Sequence, residues 1–307
     1  MRVFVTGATG FVGKHVVNEL LAQGIDVHAA ARDISRVGAI FGKQVSSVGV
    51  DFTNQHSIRK ALSTVMPDAI VHLIGIISEN RSKGITFERV HGGIPRDLYA
   101  VAKELGIKKV VHMSALGVHP DAPSEYHKTK LRGEQELRES GLSHTIFRPS
   151  VIIGPEQKLF SDMRKFAGIV PVVPLPAGGE HRIQPVDVRD IACAFVSSLI
   201  KTETDNRVYE LCGPETMSFR EFLNAVFSIW QKKVLFLNIP KFVMAWAGKV
   251  AETIMDNPPI SSNLIRMMWK DNVCGFYGDA LTGGVKIVCG REPIAFFESL
   301  KWSLVRT

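Results

Sequence analysis

The sequence predicts an α/β fold: a doubly wound parallel sheet followed by a smaller lobe from the second half of the chain. Three observations predict it. Short apolar runs alternate with stretches of helical periodicity through the first 150 residues, the pattern of successive βαβ units. The first apolar run leads directly into Thr6-Gly7-Ala8-Thr9-Gly10-Phe11-Val12-Gly13, three glycines at a strict interval of three. After Arg148 the pattern loosens into proline- and glycine-rich loops, VPVVPLPAGGEHR among them, before helical periodicity resumes.

Residues 1–5 read as the first strand, and residues 12–21 place Val16, Val17, Leu20 and Leu21 at helical spacing. The glycines occupy the turn between the two. A helix N-terminus offers unpaired N–H groups and a partial positive charge, and a turn without side chains lets a phosphate approach them. Gly7 would allow the tight turn, Gly10 the close approach of a pyrophosphate, and Gly13 the packing of helix on strand. Further strands are expected at residues 27–31, 45–50, 69–74, 109–113 and 144–147. Two of them are nearly uniform apolar runs interrupted by His72 and His112, which are read as hydrogen-bonded core residues.

The second strand ends in HAAARD. Arg32, 19 residues after Gly13, is placed to accommodate a 2′-phosphate, so NADP is the expected dinucleotide; a strand one residue longer would put Asp33 on the ribose and favour NAD. The segment EYHKTKLRGEQEL sets Tyr126 and Lys130 four apart on one helical face. A free tyrosine titrates near 10, and a neighbouring cation such as Lys130 would lower that value enough for proton transfer to or from a carbonyl or alcohol oxygen.

In the second half, residues 187–200 and 219–231 read as helices with a strand at 207–211 between them. Residues 1–150 are therefore expected to form the dinucleotide domain, with elements around 180–212 returning to its sheet, and residues 151–307 mainly the substrate or partner lobe. Residues 234–255 are the most apolar long stretch, but Pro240, Lys241, Lys249 and Glu252 interrupt it too often for a membrane span. Phe242, Val243, Trp246, Ala247, Val250, Ala251, Ile254 and Met255 share one helical face, expected to pack on its own domain rather than to serve as an interfacial membrane helix or a lid.

The chain has 307 residues, is 45% hydrophobic and carries a formal charge of +7. That length and content support a substantial core, and the charge suits anionic ligands or surfaces. The basic residues are scattered, so no nucleic-acid partner is expected. Cys193, Cys212, Cys274 and Cys289 show neither a CxxC pair nor ligand spacing with histidine, and are expected to be buried reduced thiols; no metal is expected. The first strand starts at residue 2 and leaves no room for a cleavable leader, which points to a cytoplasmic protein, with peripheral attachment to a membrane or a protein complex left open.

Taken in order, Thr6 to Gly13, Arg32, Val50-Asp51-Phe52, Leu73-Ile74-Gly75, Ser114, Tyr126-x3-Lys130 and Arg148-Pro149 resemble the short-chain dehydrogenases/reductases, and the GxxGxxG spacing with the later Pro185 to Ile191 is similar to their extended and atypical branches. The segment HMSALGVHPDAPSEYHKTKLRGE, with the later SSNLIRMMWKDNV, resembles the atypical branch that contains the nucleotide-binding accessory subunit of respiratory complex I and its bacterial relatives. This resemblance covers the first 215 residues or so.

It implies a Rossmann-type fold and a cofactor site that includes Gly7, Thr9, Gly10, Phe11, Val12, Gly13 and Arg32. It also implies that Asp51 contacts the adenine, that Phe52, Leu73, Ile74, Gly75, Met113 and Pro149 line the cofactor, that the stretch Ser150, Val151 and Ile152 meets the nicotinamide carboxamide, and that Lys130 touches the nicotinamide ribose. Tyr126, Lys130 and Ser114 are the implied catalytic set, although Ala115 stands where extended members carry a second serine or threonine. The expected activity is NADP-dependent hydride transfer to or from a small or hydrophobic carbonyl, alcohol or quinone-like substrate. The rivals are a non-catalytic NADP(H)-binding subunit or assembly factor of a respiratory-type complex and, more distantly, a sugar-nucleotide epimerase or dehydratase.

Overall fold

A computed structural model describes residues 1–169, 171–254, 261–276 and 278–305. Its centre is a seven-stranded parallel sheet of β1 (Arg2–Thr6), β2 (Asp26–Ala31), β3 (Ser46–Gly49), β4 (Ala69–His72), β5 (Lys109–Met113), β6 (Ser143–Pro149) and β11 (Arg207–Leu211). The order is β3-β2-β1-β4-β5-β6-β11, which reverses direction between β1 and β4. That reversal opens a crevice at the C-terminal ends of the two strands, where doubly wound sheets bind ligands. The strands are apolar on both faces because helices cover both. Val3 and Val5 of β1 pack into one layer with α1 (Phe11–Ala22), while Phe4 between them packs into the other with α3 (Gln55–Val65) and α4 (Ile94–Glu104). His72 and His112 sit inside this sheet and are bonded, His72 Nδ1 to Thr6 Oγ1 at 2.9 Å and His112 Nδ1 to the Tyr99 hydroxyl at 2.7 Å.

Two further helices complete the sheet's surroundings. The first is α2 (Ile34–Phe41); the second, α5 (Glu125–Glu139), carries Tyr126 and Lys130. Three two-stranded pairs organise the rest: β7 (Ile152–Ile153) with β10 (Val186–Asp187), β8 (Val172–Pro176) with β13 (Leu235–Ile239), and β9 (Arg182–Ile183) with β12 (Met217–Ser218). Between them run α6 (Lys158–Ile169), α7 (Val188–Ile200) and α8 (Phe219–Ile229), and after them α9 (Lys241–Ile254), α10 (Ser262–Met267), α11 (Gly284–Cys289) and α12 (Phe296–Val305). From this half, α7 places Ile191 and Phe195 in the core shared with α1, so it covers the first sheet face. A separate aromatic core of Phe160, Phe222, Phe227 and Phe296 holds the second lobe together.

Two expectations need correction. Cys212 and Cys274 form a disulfide across 62 residues; only Cys193 and Cys289 are free, and they are half-buried. The pairing arises because Cys212 follows the last strand of the sheet and the segment at Asn272–Cys274 folds back onto it, a tertiary meeting that carries no sequence spacing. The apolar face of α9 is the second correction, since Phe242 is 76% exposed, Trp246 69% and Val243 39%, while the helix packs inward through Met244 and Gly248. Gly248 decides this orientation: a Cβ there would lie 2.7 Å from the Ser262 amide nitrogen, so the bare backbone side of the helix is the one that α10 approaches. Met255, and the side chain of Ile254, lie outside the described residues. Among those described, no helix is long and apolar enough to cross a membrane, and no cluster of metal-ligating side chains is present.

Candidate active site

The crevice at the sheet's reversal is a cleft of about 430 Å³. Its floor is the glycine turn. Gly7 has φ +72° and lies so close to β4 that a Cβ would fall 2.9 Å from the Leu73 carbonyl carbon. Gly10 is the N-cap of α1 and supplies no side-chain cap, whereas α2, α3, α5, α7 and α8 each start on a side chain that accepts a first-turn N–H. The opening turn of α1 thus points uncapped amides at the cleft, the arrangement that binds phosphate. Gly13 is buried against the turn, where a Cβ would lie 2.1 Å from the Gly7 carbonyl oxygen and 2.7 Å from that of Ala8. Gly13→Ala must therefore displace α1, and is expected to cost about 1–3 kcal/mol of stability or more, with weakened NADPH binding, read by denaturant unfolding and by cofactor titration.

Gly7, Thr9, Gly10, Arg32, Phe52, Leu73, Ile74 and Gly75 all line this cleft. Asp33 lines it too but is committed elsewhere: it is the N-cap of α2, and its carboxylate accepts the Ser35 N–H at 3.0 Å. The hydrogen bonds from Ser35 hold its carboxyl below the usual range. Arg32 follows directly on β2, and the sequence reading missed three cations that join it on the cleft wall, Arg36, Lys83 and Arg89. Arg36 lies four residues beyond Arg32, in the first turn of α2, a spacing visible in the sequence; Lys83 and Arg89 come from two short helical turns, Arg81–Lys83 and Glu88–Gly93, that carry no such mark. Four cations against the single acid Asp33 make the cleft a receptor for an anion.

Asp51 is exposed beside Phe52, with its carboxylate accepting the Thr53 N–H at 2.9 Å and hydroxyl at 2.7 Å. Val12 is buried behind the turn, and Phe11 packs edge-on to His15 and against Gly154. Ser150 is also occupied: its hydroxyl donates to Asn272 Oδ1 at 2.6 Å, and Asn272 Nδ2 donates to the Leu116 carbonyl at 3.4 Å. Pro149 is the last residue of β6, and the Val151 carbonyl accepts the Val186 N–H at 2.9 Å. This strand end thus joins the sheet to the second half of the chain.

Beyond the cleft wall at Gly75, Ser124 caps α5, the helix that carries Tyr126 and Lys130. Lys130 is buried, donates from Nζ to the Met113 carbonyl at 2.9 Å, and reaches Gly75 so closely that a Cβ there would sit 3.0 Å away. Burial lowers its pKa to about 8. Tyr126 is half-buried, its ring edge-on to His91 at 5.3 Å, Phe87 at 5.9 Å and His127 at 5.2 Å. Burial pushes its hydroxyl up to about 12. This corrects the expectation that Lys130 lowers the Tyr126 pKa, because the Lys130 ammonium is turned to the Met113 carbonyl and desolvation of the phenol prevails. Ser114 Oγ is buried with no hydrogen-bond partner, close in sequence to Met113 but not bonded to Tyr126.

His91 escaped the sequence reading altogether. Its Nε2 accepts the Ile76 N–H at 3.1 Å and its Nδ1 meets Thr129 Oγ1 at 3.1 Å. Thr129 spends its own proton on the Glu125 carbonyl at 2.8 Å, so His91 must carry its proton on Nδ1 and donate it to Thr129. The ring is neutral, burial taking its pKa down to about 2. It ties the Leu73–Ile76 cleft wall to the helix of Tyr126 and Lys130.

A parallel sheet with an uncapped glycine turn at its reversal, and a Tyr-x3-Lys helix whose lysine abuts the cleft wall at Gly75, define a nicotinamide dinucleotide-binding protein. The chain belongs to the NAD dependent epimerase/dehydratase family, which residues 3–212 match. It is 30% identical over 229 residues to the mitochondrial NADH dehydrogenase [ubiquinone] 1 alpha subcomplex subunit 9 of Dictyostelium discoideum, a match that covers 72% of this chain and 62% of that relative's length. Among solved structures it is similar to an NADPH-dependent quinone oxidoreductase from Escherichia coli complexed with NADPH, with TM-score 0.73 and 19% identity over 97% of this chain and 98% of that one. It is likewise similar to a Thermus thermophilus UDP-glucose 4-epimerase in complex with NAD, with TM-score 0.72 and 20% identity over 100% and 98% of the two chains. At these identities the two structures speak for the fold alone.

Proposed function

We propose that the protein is an NADP(H)-dependent oxidoreductase that reduces a hydrophobic carbonyl or quinone. The observation that carries this reading is a cleft that is cationic at its Arg32 end and bounded by Gly75, against which the Lys130 ammonium sits. Commitment of Asp33 to the cap of α2 leaves Arg32, Arg36 and Arg89 as the groups that meet the ribose end, and their charge suits a 2′-phosphate. The amides of the α1 turn would hold the pyrophosphate, and Lys130 the nicotinamide ribose.

When bound, the reduced nicotinamide supplies a hydride to the substrate's carbonyl carbon. Tyr126, protonated at neutral pH, gives its hydroxyl proton to the oxygen, while Lys130, held on the Met113 carbonyl, positions the nicotinamide ribose. The orphaned Ser114 hydroxyl is available to donate to the same oxygen.

A second reading is favoured by a specific observation. Ser114 has no neighbouring hydroxyl at Ala115, and the Tyr126 proton is held tightly, both of which suit a chain that keeps NADPH as a fixed element of a respiratory assembly, as its similarity to a complex I subunit suggests.

The test is to titrate the purified protein with NADPH and NADH, then to assay a panel of aldehydes, ketones and quinones. The first reading expects turnover with NADPH; tightly held NADPH without turnover on any substrate replaces it with the second. Arg32→Ala should weaken NADPH by about tenfold or more, one charge-assisted hydrogen bond to the phosphate, and leave NADH nearly unchanged. Equal losses for both dinucleotides would remove the 2′-phosphate assignment.

A further inference from the structure

We propose that α9 and the strand that leads into it form a docking face for an anionic lipid surface. On α9, Phe242, Val243, Trp246 and Ala247 occupy a sector of roughly 140° at 3.6 residues per turn, and all four are exposed. Immediately before the helix, Leu235 and Leu237 of β13 are 66% and 51% exposed, two residues apart and therefore on one side of the strand. Large apolar side chains displayed this densely mark a surface that is covered in use.

Charge identifies the cover. Residues 231–276 contain six cations, Lys232, Lys233, Lys241, Lys249, Arg266 and Lys270, against three acids, Glu252, Asp256 and Asp271. Two of these acids are engaged locally: Glu252 accepts the Ser262 N–H at 2.8 Å, and Asp271 accepts the Arg182 N–H at 2.9 Å. Outward charge around the apolar face is thus positive, with Lys233, Lys249, Arg266 and Lys270 all exposed. A second copy of the chain packed symmetrically on this face would bring the same cations against themselves, which disfavours it. A bilayer with anionic headgroups takes the phenylalanine, tryptophan and leucines at the acyl boundary and the lysines among its phosphates.

The face also belongs to the same small structure that abuts the candidate active site. Glycine 248 seats α9 on α10, and Asn263 of α10 accepts the Glu125 N–H at 3.1 Å, at the first residue of the helix that carries Tyr126. Docking itself is independent of the redox reading. If that reading holds, the docked protein meets its substrate at a lipid surface, which agrees with a hydrophobic carbonyl or quinone.

Co-sedimentation of the full chain with vesicles of phosphatidylcholine alone, and of phosphatidylcholine with one third phosphatidylglycerol, tests the proposal, with NADPH titration of each variant as a check on its fold and on the cofactor site. Binding to the anionic vesicles should be about tenfold or more tighter than to the neutral ones and should weaken with added salt. Phe242→Ser with Trp246→Ser should lower it by about tenfold or more, and Lys233→Glu with Lys249→Glu should abolish the preference for anionic lipid without touching the apolar face, a variant whose surface positions leave the fold unaltered. Absence of sedimentation with either vesicle, equal sedimentation of wild type and both variants, or a concentration-dependent dimer lost on Phe242→Ser with Trp246→Ser each overturns the proposal. Vesicle binding by a chain that does not bind NADPH upholds the docking face and sinks only the redox reading.

Discussion

Tyr126→Phe is expected to lower carbonyl or quinone reduction by about 10²–10⁴-fold, the range of a lost general acid, and to leave NADPH affinity essentially unchanged. Phenylalanine keeps the ring that meets Phe87, His91 and His127 edge-on, so α5 and its lysine stay in place. Only the proton is lost. That proton sits on a hydroxyl pushed up to about 12 and stays on the oxygen at neutral pH, which agrees with the proposed reduction; alcohol oxidation would need a phenolate that burial disfavours. The pH dependence should come instead from Lys130. Its pKa is lowered to about 8, so the ammonium is present below that value and is lost as pH rises through it, and the reduction rate should fall across the same interval. Steady-state rates from neutral to alkaline pH, beside cofactor titrations of both proteins, check this. Equal turnover by the two proteins would remove Tyr126 from the chemistry.

What was legible in the sequence is what local chemistry determines. Strands covered on both sides must be apolar throughout, so β1, β4 and β5 announce themselves, and the turn at Gly7–Gly13 is marked because bare backbone is needed at fixed intervals. Arg32 could be located by counting from that turn. Residues whose roles depend on distant partners carried no comparable mark. His91 meets Ile76 and Thr129, and Asn272 meets Ser150, only once the chain has folded. The same holds for Cys212 and Cys274. The face of α9 shows a different limit: periodicity identified an apolar stripe, but a stripe that packs on its own domain and one that faces outward have the same spacing. The deciding residue was Gly248, whose absent side chain lets α10 pack on the other side.

Arg148 carries the largest expected effect on stability. The sequence marked it only as the first half of an Arg-Pro pair near the cofactor, yet its guanidinium is almost wholly buried and donates to Glu134 from Nε and Nη2, at 2.8 Å each, and to Asp279 Oδ2 at 2.9 Å. Glu134 is fully buried on α5, one turn beyond Lys130, and Asp279 comes from a segment 131 residues away. Arg148 therefore ties the helix of Tyr126 and Lys130, the sheet and the C-terminal half through one charge. Arg148→Met would strand the Glu134 carboxylate in the core, with only the partly exposed Arg138 still bonded to it at 2.9 Å, and should cost about 3–5 kcal/mol. Half-exposed Asp279 can turn to water and should contribute little of this. The attribution makes a second demand: if the cost is a stranded charge rather than lost packing, Arg148→Met combined with Glu134→Leu should recover most of it, because an apolar pair of similar volume needs no partner. Urea unfolding of the two single variants and the double variant measures this coupling. A double variant no more stable than Arg148→Met alone would mean that the arginine acts by filling space between β6 and α5, and that the C-terminal half is held by its other contacts, the Cys212–Cys274 bridge first among them.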